Sequence, residues 1–130
     1  MQEEQPLIPY EATAKLLGQF QRTPNRLEDL VATGVSLDEA ACIITEEEVV
    51  TSFCSAISSR GQETEYLASW HSSVRSDCSK KFKNLKEQNP LSGREIINQD
   101  KDLQLLNGIR RGVHRAMVRN QRLPAISYPS

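Results

Sequence analysis

Between Glu63 and Gln88 the chain repeats a single spacing, and that spacing dictates most of what it can become. Leu67, Trp70, Val74, Cys78, Phe82 and Leu85 recur every three or four residues. At 100° per residue they form one narrow stripe along a helix of about seven turns. Lys80, Lys83 and Lys86 fall on the far side, with Ser72 and Ser76. Such a one-sided helix must lay its apolar stripe against another long element.

The remainder of the chain supplies that element. Asn89-Pro90 stops the first long helix, and Ser92 followed by Glu95 reads as a capping box that opens the next. Helical periodicity then runs to about Gln121. Ile96 and Ile97 do not share a stripe with Leu105, Leu106, Ile109, Val113, Ala116 and Met117, so a break near Asp100 is expected. Pro124 and Pro129 make residues 123–130 a non-helical tail.

Upstream, two prolines and no periodicity make residues 1–9 an extended arm. Tyr10 to Arg22 places Tyr10, Ala14, Leu17 and Phe20 on one helical face. Thr23-Pro24 opens a helix carrying Leu27, Leu30 and Val31, which Gly34 closes. Two capping boxes follow, Ser36 with Glu39 and Thr45 with Glu48. They predict a short helix, Leu37–Ile44, turning directly into another from Glu46 to about Ser58. Leu37, Ala40, Ala41 and Ile44 face one side of the first; Val49, Val50, Phe53, Ala56 and Ile57 face one side of the second. Ser59, Arg60 and Gly61 end it. Period-two alternation of β-branched residues is missing throughout. The expected fold is all-α, with five to six helices: short N-terminal helices followed by two long amphipathic helices packed as an antiparallel pair. Its parts are an arm at 1–9, an acidic short-helix region at 10–61, a basic long-helix hairpin at 62–122 and the tail at 123–130, within one compact domain. Only 5% of residues are aromatic, so the core is chiefly aliphatic, with Trp70 and Phe82 as its anchors.

Charge divides along the same line. Residues 1–59 hold ten acidic and three basic side chains, a net of −7; residues 60–130 hold seven acidic and thirteen basic, a net of +6. No acid occurs after Asp102. On the last helix Arg111, Arg115, Arg119 and Arg122 occupy about 80° of arc, opposite the apolar face. One-turn spacing of guanidinium forks suits phosphates or a ladder of carboxylates. Three settings fit the row: a solvated face, pairing with protein acids such as Glu46, Glu47 and Glu48 within the chain or across a dimer, and nucleic acid. Lys80, Lys81, Lys83 and Lys86 form a second basic strip, and neither strip has the interleaved aromatics that stack single-stranded bases.

The stretch from Gly34 to Ala41 has a glycine, a capping serine and then a helix with small residues at its packing centre. In this it resembles the helix-turn-helix of phage terminase small subunits, over about a quarter of the chain. The resemblance implies DNA binding by the helix after Thr45, with the following helical pair as the oligomerisation region. This chain departs from the pattern there. The turn at Ile44-Thr45 is short and lacks a glycine, and Glu46, Glu47 and Glu48 would face phosphates with like charge.

No catalytic constellation is legible. His71 and His114 lie in different helices; His71 reads as a partly buried core residue and His114 as a flank of the arginine row. His71 and Cys78 are about 10 Å apart by helical rise, too far to share a zinc. Cys42, Cys54 and Cys78 sit on or beside apolar faces as small buried hydrophobes, and no P-loop or dinucleotide motif occurs. No enzyme activity, metal or cofactor is expected. The start of the chain has neither the positive flank nor the apolar stretch of a signal peptide, and no run nears the ~18 apolar residues of a membrane span. A cytoplasmic or other reducing intracellular location follows, consistent with three unpaired cysteines.

The expected function is a non-enzymatic helical interaction or adaptor protein that self-associates or docks on an acidic protein partner. Leu67, Trp70, Val74, Phe82, Leu85, Leu106, Ile109 and Val113 would form the packing or oligomerisation face. The four arginines, with Lys80, Lys83 and Lys86, would bind the partner. The alternative is a nucleic-acid-binding or packaging accessory protein that grips phosphates through its basic half. Neither a membrane nor a small-molecule substrate is called for.

Overall fold

The structure, a computed structural model, describes residues 8–22, 26–54, 57, 59–88 and 93–127, without the side chains of Val50, Ser52, Arg60 and residues 121–127. Six α-helices are present among the described residues: α1 (Pro9–Gln21), α2 (Arg26–Ala32), α3 (Leu37–Glu48), α4 (Arg60–Gln88), α5 (Gly93–Gln99) and α6 (Lys101–Ser127). α3 runs without interruption into a wider π turn at Val49–Phe53. No strand occurs among the described residues, and the fold is all-α.

The two long helices, α4 and α6, pack antiparallel as expected. Thr64 near the start of α4 donates to Asn120 Oδ1 near the end of α6, at 2.7 Å. At the other end Lys81 lies 3.9 Å from Asp100, just ahead of α6. Leu67, Trp70 and Val74 of α4 are fully enclosed, as are Leu105, Ile109 and Val113 of α6; Leu106 is buried beside them. These side chains form the core of the single chain. Burial then fades along α4: Cys78, Phe82 and Leu85 are only partly covered.

Helix α6 is also one half of a second interface, with α3, and here glycine decides the geometry. A Cβ at Gly108 would lie 2.5 Å from Ala41 Cβ and 2.5 Å from the Asp38 carbonyl oxygen. One at Gly112 would lie 2.6 Å from Thr45 Cβ and 2.7 Å from the Cys42 carbonyl oxygen. Both glycines thus act as missing side chains that admit the α3 backbone into close contact. α6 is the central helix, with α3 on one side and α4 on the other.

α1 packs against α4 and α6. Its buried face is Ala12, Thr13, Leu16 and Phe20, while Tyr10 is 70% exposed and Ala14 is open to solvent. The expected face is therefore corrected by a rotation. Trp70 causes it: its indole Nε1 donates to Thr13 Oγ1 at 2.9 Å, which draws that edge of α1 inward. Phe53 meets Trp70 edge-on at 4.9 Å between ring centroids. The core anchor paired with Trp70 is thus Phe53 rather than Phe82.

Four boundaries differ from expectation. Pro9 belongs to α1, as its first residue, where a missing N–H costs no helical bond. Thr45 does not cap a new helix: it is buried inside α3, held against Gly112. Ser59 starts a helix rather than ending one, since its hydroxyl accepts from the Gln62 amide at 3.2 Å, an N-cap for α4. Finally, α6 continues through Pro124 to Ser127; a proline this near the terminus removes a single backbone bond. Other signals stand as read. Ser36 accepts from Glu39 N at 3.3 Å, Gly34 closes α2 with φ +101°, and Asp100 interrupts α5 and α6 while its carboxylate caps Leu103 N at 2.8 Å. The Thr23-Pro24 start, the residue Ser92 and the arm before Ile8 lie outside the described residues.

Candidate functional site

The close α3–α6 contact sets the electrostatics of the arginine row. The Ser36 cap fixes the first turn of α3, which carries Asp38 and Glu39; Glu46 follows two turns later on the same side. The glycine contact brings these acids alongside α6. Arg111 Nη1 meets Asp38 Oδ2 at 3.0 Å, and its Nη2 meets Glu39 Oε1 at 2.8 Å. Arg115 Nη1 meets Glu39 Oε2 at 3.1 Å, and Arg119 Nη2 meets Glu46 Oε2 at 3.0 Å. A ladder of acids thus neutralises three of the four arginines within the chain. The Arg111 hydrogen bond, with Arg115 adding to it, holds the Glu39 carboxyl below its usual range.

This corrects the expectation of a free cationic row: the acidic half of the sequence docks on the basic half. The side chain of Arg122 lies outside the described residues. Glu47 is taken up by Arg26 of α2, whose hydrogen bond also lowers its pKa. The helix-turn-helix expectation is corrected as well. Its would-be turn, Ile44-Thr45, lies in mid-helix, and its would-be recognition helix is the continuation of α3.

The second basic strip is differently placed. Lys80, Lys83 and Lys86 are exposed on the last third of α4 and form no ion pair among the described residues. Lys86 Nζ lies 6.0 Å from the Phe82 ring centroid. On the apolar side of the same stretch, where α4 outruns the core, is an open cleft of about 240 Å³. Cys78, Ser79 and Phe82 of α4, Ile97 of α5, and Leu103 and Asn107 of α6 line it. Ile97 is 42% exposed at its mouth. The cleft brings together parts of three helices, and the α4 periodicity revealed only one wall of it.

A further group escaped the sequence reading. His71 and His114, expected to have separate roles, face each other across the α4–α6 seam with ring centroids 5.4 Å apart. The His71 Nε2 atom is buried and has no hydrogen-bond partner among the described residues. Burial, then the neighbouring His114, Arg110 and Arg75, push the His71 pKa below its ordinary value. The three thiols are buried or partly so. Burial raises Cys54 to about 12 and Cys78 to about 11, and also raises Cys42.

No group of three or more metal-ligating side chains occurs among the described residues, and no helix there is long and apolar enough to cross a membrane. Comparison with protein-family models, curated proteins and solved structures finds no match to this chain.

Proposed function

We propose that the protein is a non-enzymatic helical interaction module, and that its docking surface is the cleft between α4, α5 and the start of α6. The occupant is an acidic amphipathic helix of a protein partner. One observation carries this reading: the stretch of α4 that borders an open apolar cleft also carries three exposed lysines that have no acidic partner among the described residues. The cleft is too small for a typical organic ligand, whose pockets span about 300–1,000 Å³. It suits one or two aliphatic side chains presented on a helix face, with carboxylates flanking them to meet the lysines. The arginine row is not the contact in this reading, because α3 already satisfies it.

The test uses a designed helical peptide with leucines at positions three and four apart and glutamates between them, followed by fluorescence anisotropy. Binding in the micromolar range is expected (about −8 kcal/mol). It should weaken about tenfold with Ile97→Ser or with Lys80→Glu plus Lys83→Glu, all exposed sites. No binding, or binding indifferent to these changes, overturns the reading. Sedimentation over a range of protein concentrations distinguishes the other occupant: a dimer abolished by Ile97→Ser would make it a second copy of this chain.

A further inference from the structure

We propose that the α4–α6 seam holds a phosphate-type oxyanion between His71 and Arg75 of α4 and Arg110 and His114 of α6. The four residues come from antiparallel register. His71 faces His114 at 5.4 Å between centroids. Arg75 lies one turn after His71, and Arg110 one turn before His114, so both guanidinium groups fall at the next level of the same seam. Their charges reach the imidazole, since both depress the ionisation of His71.

What sets this cluster apart is its lack of carboxylates. The groups acting on His71 are His114 and Arg110 from α6 and Arg75 from α4, and none is a carboxylate. On the same helix, Arg111, Arg115 and Arg119 all find acids on α3. Neither Arg75 nor Arg110 forms an ion pair among the described residues. Asn107 fixes the Arg110 guanidinium instead: its Oδ1 accepts from Nε at 3.2 Å and from Nη2 at 2.7 Å, leaving further donors free.

Like charges held this close repel one another, and a bound anion relieves that repulsion. A tetrahedral oxyanion presents several acceptor oxygens and suits two guanidinium forks with two imidazoles. His71 Nε2 is buried without a hydrogen-bond partner among the described residues, and the His114 ring beside it is exposed. Paired imidazoles also suggest half of a metal site. Two guanidinium groups beside them oppose a cation, and so the chemistry selects an anion. A free phosphate monoester and the phosphodiester backbone of nucleic acid offer the same group to this site. The site adjoins the cleft at Asn107, which lines the cleft and holds Arg110, but it uses none of the residues varied in the cleft test, so the two proposals fail separately.

The experiment follows the imidazole resonances of His71 and His114 by NMR in the full chain. The probe is sulfate, whose charge is constant between about pH 6 and 8, against sodium chloride at matched ionic strength. Saturable shifts of both imidazoles are expected, with binding about tenfold tighter at the lower pH as the His71 imidazole takes up a proton. Arg75→Gln with Arg110→Gln should abolish the shifts and Arg119→Gln should leave them, while circular dichroism checks that helix content is retained. His114→Gln, at an exposed position, should weaken binding without loss of fold. Responses equal to those in sodium chloride, or shifts that survive in the double variant, overturn the proposal. Phenyl phosphate and a short duplex DNA then identify the source: the tighter of the two in moving both imidazoles supplies the phosphate.

Discussion

Thr45 of α3 sits so near Gly112 of α6 that one added methyl group would overlap it: a Cβ at position 112 would lie 2.6 Å from the threonine Cβ. The same contact places the acids of α3 over the arginines of α6. Packing and charge pairing here are therefore two results of one close approach.

Gly112→Ala tests that approach directly. Helix propensity alone would make the substitution stabilising by about 1 kcal/mol. Overpacking against Thr45 and the Cys42 carbonyl reverses the sign, and a net loss of about 1–3 kcal/mol is expected in urea unfolding. Gly108→Ala, facing Ala41 and the Asp38 carbonyl, behaves alike. A neutral or stabilising result at both positions would refute the close helix contact.

The ion-pair ladder is expected to contribute modestly, because its side chains are about a third or more exposed. A double-mutant cycle with Arg111→Gln and Glu39→Gln should give a coupling of about 0.5–1 kcal/mol that shrinks as salt is raised. Absence of coupling at low salt would mean that the two side chains do not meet in solution.

Thr13 supplies the hydroxyl that satisfies the Trp70 indole. Thr13→Val keeps the shape and removes the acceptor, leaving a buried N–H without a partner. A loss of about 1–3 kcal/mol is expected by urea unfolding. Thr13→Ser retains the acceptor and should lose clearly less, and equal losses in the two variants would exclude this bond.

His71 makes stability depend on pH. Its folded-state pKa is depressed below 6.5, so the unfolded chain takes up the proton first. The associated stability is complete above about pH 6.5 and is lost as the pH falls toward the depressed value. Unfolding midpoints measured in chloride should therefore drop from pH 7.5 to 5.5, and His71→Gln should flatten that part of the profile. An identical slope in the variant would assign the loss to other groups.

The thiols should be sluggish toward alkylating reagents. With Cys78 at about 11, about one thiol in a thousand is ionised at pH 8, and Cys54 at about 12 is less ionised still. Modification by iodoacetamide should be slow in buffer and should accelerate sharply in urea. Rapid labelling of the native protein would contradict the burial.

Much of the scaffold was legible because its signals are local. The α4 stripe from Leu67 to Leu85, the Ser36 cap, Gly34 and the break at Asp100 each depend on neighbours within a few residues. Signals of the same kind misled where a distant partner intervened. Thr45 has the hydroxyl and the Glu48 of a capping box, yet Gly112 claims its side chain from 67 positions away in sequence. Tyr10 and Ala14 share a face with Phe20, yet Trp70 turns the helix so that Thr13 faces inward.

From sequence alone came the helical class, the two long amphipathic partners and the opposed charges of the two halves, since periodicity and charge are properties of short segments. Tertiary structure decided which acids meet which arginines, which apolar residues remain open between α4, α5 and α6, and that His71 and His114 share a seam. Those outcomes depend on how helices far apart in the chain rotate and approach, and at α3 and α6 that is set by two missing side chains whose importance appears only when the neighbouring backbone is in place.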